Sequence, residues 1–118
     1  MGATKILVVS DDPRVTDGAR YGFPSDADVE TVRDAREALA SMRQSIPSVV
    51  VVDLQTGSAG GFGLARDMHQ DRRLENVPIL MLLERDQDAW LARKAGADRF
   101  RTKPVEVSEL VLEALSLI

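Results

Sequence analysis

The sequence predicts an α/β domain in which a five-stranded parallel sheet carries helices on both faces. Its 118 residues fall within the usual size of one domain, so we expect a single domain spanning residues 1–118. Apolar segments alternate along the chain with amphipathic segments, five of each. Four consecutive valines at 49–52 are typical of a strand buried on both faces, as central strands of parallel sheets are. Right-handed crossovers between parallel strands then place helices on both faces.

The strand and helix predictions follow from these two kinds of segment. Strands are predicted at 5–9 (KILVV), 28–32 (DVETV), 48–54 (SVVVVDL), 78–84 (PILMLLE) and 98–102 (DRFRT). Helices are predicted between and after them at 13–23, 35–45, 61–71, 86–96 and 107–118. The last helix should pack on the sheet, because its apolar residues recur at helical spacing.

Several residues mark where the helices begin and end. Pro13 suits a first helical turn, and Asp11 or Asp12 before it can cap the free amides. Gly96 suits a helix end that needs a left-handed residue. The first helix has the weakest signal, since Gly18 lies inside it and glycine is a poor helix former.

Composition and charge exclude several classes of protein. The chain has no cysteine, and no apolar run approaches the roughly 20 residues that span a bilayer. The first ten residues lack the long apolar region of a signal peptide. A net charge of −4 argues against direct nucleic-acid binding by this domain. We therefore expect a cytoplasmic protein without membrane or direct nucleic-acid contact.

Charged residues follow three of the predicted strands. Asp11 and Asp12 follow the first strand, Asp53 ends the third, and Lys103 follows the fifth. If the strand order is 2-1-3-4-5, the first and third strands are neighbours at the switch point where ligands bind. Clustered carboxylates suit Mg²⁺, and Lys103 could offset the charge of a phosphoryl group. Taken singly, the aspartates could be helix caps and Lys103 a surface lysine, but the joint placement of these residues at three strand ends favours a site.

Two further residues have ordinary structural interpretations. His69 lies in the polar end of a predicted helix, so a solvated role is favoured over catalysis or metal binding. Trp90 lies in the fourth helix and is either half-buried, which we favour slightly, or part of a partner surface.

The segments ILVVSDDP, VVVVDLQTGSAGG, VPILMLLE and AGADRFRTKP, in this order and spacing, resemble the receiver domain of two-component response regulators over essentially the whole chain. The resemblance implies a flavodoxin-like fold with sheet order 2-1-3-4-5 and five flanking helices. It implies that Asp53 is the phosphoacceptor and that Asp11 binds Mg²⁺. The backbone carbonyl of Gln55 would be a further metal ligand, Lys103 would contact the phosphoryl group, and Phe100 would be the switch aromatic of the fifth strand.

The resemblance also implies partners. A sensor histidine kinase, a phosphotransfer protein or a small phosphodonor would supply the phosphoryl group. The fourth helix, fifth strand and fifth helix would face an output domain, another protein or a second copy of the chain. Such a domain is a signalling protein, and at most it catalyses its own phosphorylation and dephosphorylation.

The chain departs from the family pattern at two strand ends. Ser10 stands at the first position of the usual acidic pair, while Asp12 falls on the third position and is a further candidate metal ligand. Leu83 stands where the family has Thr or Ser, and a leucine cannot donate that hydrogen bond. Glu84 follows it where a small residue is usual, and its charge could disfavour a phosphodianion.

Two hypotheses remain from the sequence. One is a phosphorylatable receiver that uses Asp53, Asp11 and Lys103. The other is a pseudo-receiver that binds a protein partner without phosphorylation. A haloacid-dehalogenase-like phosphatase is disfavoured, because SDDPR lacks the Asp-x-Asp that such enzymes need after the first strand. A mononucleotide site is disfavoured as well, because no glycine-rich turn follows that strand.

Overall fold

The computed structural model describes residues 4–54 and 60–118, and it confirms the predicted fold class. The strands are β1 (Lys5–Val9), β2 (Asp28–Val32), β3 (Val49–Asp53), β4 (Ile79–Leu83) and β5 (Arg99–Thr102). They form a parallel sheet with the order β2-β1-β3-β4-β5, as expected. The helices are α1 (Pro13–Gly22), α2 (Ala35–Gln44), α3 (Gly60–Gln70), α4 (Ala89–Ala95, preceded by a 3₁₀ turn at Asp86–Asp88) and α5 (Val107–Ser116).

The valine run of β3 is buried on both faces of the sheet. Val49 and Val51 pack in a core that contains residues of α1 and α5. Val50 and Val52 pack in a second core on the other face, which contains residues of α2, α3 and α4. A strand covered by helices on both sides needs apolar side chains at every position, and this explains the absence of alternation in the sequence.

Helix α1 is present despite its glycines, and its packing on α5 explains them. A Cβ atom added at Gly18 would lie 2.8 Å from Cγ2 of Val107, and one added at Gly22 would overlap the same valine. The glycines therefore allow α1 and α5 to approach closely. The cost of glycine in a helix is offset here by a contact that the sequence pattern does not reveal.

The helix ends follow the predicted chemistry. Asp12 is the cap of α1, because its carboxylate accepts a hydrogen bond from the backbone N–H of Arg14. Gly96 ends α4 in the left-handed region with a φ of 100°. His69 is exposed, and its Nε2 lies 2.8 Å from the carbonyl oxygen of Gly96. Trp90 is 59% exposed, so the slight preference for a half-buried tryptophan was wrong.

The carboxyl ends of β1, β3, β4 and β5 lie at the same edge of the sheet, because all five strands are parallel. Val9 pairs with Val52, so the residues that follow, Ser10 and Asp53, are neighbours. Lys103 follows β5 and is joined to Pro104 by a cis peptide bond. Among the described residues, none of the helices has the length and hydropathy of a membrane span.

Candidate functional site

Asp53 lies at the centre of the site, at the end of β3. Its side chain is completely buried. The hydroxyl of Ser10, which is also fully buried, donates a hydrogen bond of 2.7 Å to Oδ2 of Asp53. Nζ of Lys103 lies 3.0 Å from Oδ1 and 3.0 Å from Oδ2. A buried carboxylate needs such partners, because its loss of water is otherwise very costly.

Lys103 joins three carboxylates at this edge. Besides Asp53, its ammonium contacts Oε1 of Glu84 at 3.0 Å and Oδ2 of Asp12 at 3.7 Å. Burial by itself would lower the pKa of Lys103. The hydrogen bonds and negative charges of Glu84 and Asp53 outweigh burial and raise that pKa above its ordinary value. Lys103 therefore carries its positive charge throughout the physiological pH range.

The two aspartates after β1 have different surroundings. Burial alone would raise the pKa of Asp12, but hydrogen bonds from the backbone and side chain of Arg14, with the charges of Arg14 and Lys103, lower it. Asp11 is exposed and borders a separate cavity that Thr16 and Arg20 also line. In the described part of the chain, Asp11 makes neither a hydrogen bond nor an ion pair. The structure thus brings Asp53, Lys103 and Asp12 together, and leaves Asp11 outside this contact network.

The protein groups available at this edge limit how a magnesium ion could be bound there. Gln55 lies outside the described residues, and within those residues no group of three acidic, histidine or cysteine side chains could hold a metal ion. Mg²⁺ needs only one or two carboxylates when waters and phosphate oxygens complete its shell. The buried Asp53 carboxylate at the end of β3 is of the kind that such an ion binds, whereas the exposed Asp11 follows the neighbouring strand β1 and borders another cavity. These two aspartates do not fit a site made of protein ligands alone.

The end of β4 is apolar up to its last residue. Leu83 is fully buried in the core that faces α2, α3 and α4. Phe100 of β5 is partly buried against the same core, and the guanidinium carbon of Arg93 lies 5.0 Å from its ring centroid. A hydroxyl exists instead at the end of β5, where Thr102 donates a hydrogen bond to Asp86.

Two site contacts were missed by the sequence analysis. Ser10 was interpreted only as a lost carboxylate, whereas its hydroxyl donates to Asp53 and accepts a hydrogen bond of 3.0 Å from the N–H of Asp12. The register of β1 and β3, in which Val9 pairs with Val52, is what places Ser10 beside Asp53. Glu84 was expected to act on an incoming phosphoryl group only through its charge, whereas it is in direct contact with Lys103.

A cavity of about 320 Å³ opens beside Lys103, between α1 and the segment that leads into α5. Arg14, Glu84 and Lys103 form its polar end, and Val15 and Val107 contribute to its apolar wall. The cavity gives a small molecule space next to the ammonium that contacts Asp53.

Comparison with known proteins agrees with this geometry. The model of the response regulator receiver domain family matches residues 6–115. The DNA-binding dual master transcriptional regulator RpaA of Synechocystis sp. is 29% identical, over 97% of this chain and 48% of that protein. An uncharacterized 14.6 kDa protein of Leptolyngbya boryana is 31% identical, over 90% of this chain and 83% of its own length. The structure of the chemotaxis response regulator CheY4 of Vibrio cholerae, 23% identical, has the same fold with a TM-score of 0.89 over all of both chains.

The chain spans about half the length of RpaA and of most curated relatives that it matches. The match of the family model covers nearly the whole chain, and the sheet order is that of its structural neighbours. This chain therefore belongs to the family of response regulator receiver domains of two-component systems, which are signalling domains rather than classical enzymes.

Proposed function

We propose that Asp53 accepts a phosphoryl group from a sensor histidine kinase, a phosphotransfer protein or a small phosphodonor. The observation that carries this proposal is the buried Asp53 carboxylate with the Lys103 ammonium 3.0 Å from both of its oxygens. A rigid strand end holds the nucleophile, and a fixed cation lies where the charge of a transferred phosphoryl group would develop. Family membership supports the same assignment.

In the proposed step, a carboxylate oxygen of Asp53 attacks the phosphorus atom and forms a new P–O bond. The bond from phosphorus to the donor atom breaks. The donor atom is an imidazole nitrogen of phosphohistidine or a carboxylate oxygen of an acyl phosphate. The donor atom leaves with the electron pair of that bond. Lys103 offsets the negative charge of the phosphoryl oxygens, and the hydroxyl of Ser10 orients the Asp53 carboxylate.

Mg²⁺, when bound, would supply further positive charge against the phosphoryl oxygens. Asp11 and Asp53, with the backbone carbonyl of Gln55 expected from the sequence, are the groups that would hold it. The side chains over Asp53 must also move before a donor reaches it, because Asp53 is fully buried. The cavity beside Lys103 offers space for that movement.

The second candidate function is a protein-interaction module that works without phosphorylation. Leu83 favours it, because a fully buried hydrocarbon at this strand end cannot form the hydrogen bond that a Thr or Ser would give to a phosphoryl oxygen. An output domain, a partner protein or a second copy of the chain would bind the surface of α4, β5 and α5. Trp90 and Leu112 are exposed on these two helices, at 59% and 69%.

The two functions are separated by intact-mass measurement after incubation with Mg²⁺ and acetyl phosphate. We expect one phosphoryl adduct on the native chain and none on the Asp53→Asn variant, which keeps the size of the side chain and removes the nucleophile. The absence of an adduct on the native chain, together with the absence of Mg²⁺ binding by titration, would contradict phosphotransfer and favour the interaction module.

A further inference from the structure

The ammonium of Lys103 is surrounded by carboxylate oxygens in the place where a phosphoryl oxygen would bind it. A lysine carries three N–H donors. Three carboxylate oxygens, two of Asp53 and one of Glu84, lie 3.0 Å from Nζ of Lys103. Oδ2 of Asp12 lies just beyond them at 3.7 Å. A phosphoryl oxygen that approaches Lys103 therefore competes with these carboxylates for the ammonium.

Phosphorylation also increases the negative charge around Lys103. Formation of the acyl phosphate removes the charge of the Asp53 carboxylate, but the phosphoryl group adds roughly −1.5 to −2. Glu84 already contributes a carboxylate on the same ammonium. A phosphoryl group that displaced Glu84 from Lys103 would still be repelled by it if the glutamate stayed nearby.

Glu84 is the carboxylate that can leave. Asp53 is fully buried, and Asp12 is tied to the start of α1 by its hydrogen bonds with Arg14. The side chain of Glu84 is 38% exposed, and in the part of the chain that the structure describes its ion-pair partner is Lys103. Rotation into water would therefore free Lys103 and move the negative charge away from Asp53.

We propose that Glu84 is an autoinhibitory residue, whose carboxylate occupies Lys103 in place of a phosphoryl oxygen and must be displaced when Asp53 is phosphorylated. This inference rests on the proposed phosphotransfer to Asp53. It makes Glu84 an internal competitor that lowers the affinity of the site for a phosphoryl group by the same factor whatever the donor.

The test measures the affinity for beryllofluoride, a phosphoryl analogue that binds the carboxylate of a phosphoacceptor, by calorimetry with Mg²⁺ present. Glu84→Gln keeps the shape of the side chain and removes its charge. We expect its Kd to be about fivefold to tenfold lower than that of the native chain, as for the loss of one unit-charge repulsion at a partly exposed site. Glu75→Gln is the matched control, because Glu75 is exposed and precedes β4, at the opposite edge of the sheet.

Each outcome bears on one proposal or on both. Tighter binding by Glu84→Gln alone, or binding by this variant when the native chain does not bind at all, supports the inference. Equal or weaker binding by Glu84→Gln overturns the inference and leaves phosphotransfer intact. An equal gain in Glu75→Gln overturns it as well, because the effect would then be one of net charge. No binding by any of the three folded chains overturns phosphotransfer itself.

Discussion

The floor of the site, formed by Ser10 and Asp53, and its rim, formed by Asp12 and Glu84, lie in different environments, although both contribute carboxylates to the ammonium of Lys103. Lys103 lies 3.0 Å from the carboxylate of Asp53 and 3.0 Å from that of Glu84. The floor residues are fully buried, whereas the side chains of Asp12 and Glu84 are 16% and 38% exposed. Equal distances therefore do not mean equal energies, because water screens the rim and is excluded from the floor.

This difference separates two roles. A group at the floor has lost its water, so removal of its partner is costly for folding. A carboxylate at the rim is hydrated again when it separates from Lys103, so breaking that contact costs little free energy. We expect substitutions at the floor to change the free energy of unfolding. Substitutions at the rim should chiefly change which anion Lys103 binds.

Loss of the lysine should have the largest effect, because it removes the ammonium from the buried Asp53. We expect Lys103→Met to lower the free energy of unfolding by about 3 kcal/mol in urea titrations, as for a buried ion pair that loses one partner. Phosphorylation of Asp53 by a small phosphodonor should slow by about 100-fold, since a preorganised cation is lost.

The double variant Asp53→Asn with Lys103→Met is the control for that prediction. A neutral amide does not need the ammonium, so the double variant should recover about half of the lost stability. The pKa of Lys103 is raised above its ordinary value of 10.5, so its stabilising effect is complete below that pH and is lost as pH rises through the folded-state pKa. A Lys103→Met chain that keeps the native decrease of stability at alkaline pH would contradict this assignment.

The floor and the rim also differ in what the sequence could predict. Asp53 and Lys103 were predicted, because parallel strands bring their carboxyl ends to one edge whatever the side-chain details. The hydrogen bond of Ser10 depends on the register between β1 and β3, which residue types alone do not give. The contact of Glu84 depends on the direction of a long side chain beyond the end of β4, which no periodic pattern encodes.

The fold was predicted more completely than the site for a related physical reason. The valine run of β3 reports burial on both faces, and that burial is a property of the whole sheet. Helix α1 had a weak signal, because the cost of Gly18 is local whereas its benefit is a contact with Val107 of a distant helix. Patterns that average over many residues predict structure well, and single contacts between distant elements are the part they miss.

Removal of the serine hydroxyl should have a moderate effect. Ser10→Ala deletes the donor of the 2.7 Å hydrogen bond to Asp53 and the acceptor for the N–H of Asp12, both at a buried position. We expect the free energy of unfolding to fall by about 1–2 kcal/mol, because the buried Asp53 carboxylate and the partly buried N–H of Asp12 each lose a partner. Ser25→Ala, at an exposed turn before β2, makes the same chemical change and should stay within about 0.5 kcal/mol of the native chain. Equal effects of the two substitutions would contradict the role of Ser10.

The smallest effect is expected at the rim, where Asp12→Asn removes a charge but keeps a side chain that caps helices well. The pKa of Asp12 is lowered below its ordinary value of 3.8, since the hydrogen bonds and charge of Arg14 and the charge of Lys103 outweigh its burial. The stabilising effect of this charge is therefore complete above that pH and is lost as pH falls through the folded-state pKa.

We expect Asp12→Asn to be less stable than the native chain by about 0.5 kcal/mol at neutral pH, and the difference to vanish in acid. Urea titrations across this pH range test the prediction, with Asp26→Asn, the same chemical change at an exposed position, as the control. A difference in stability that persists in acid would mean that Asp12 acts through the geometry of its helix cap. Its charge would then not contribute to stability.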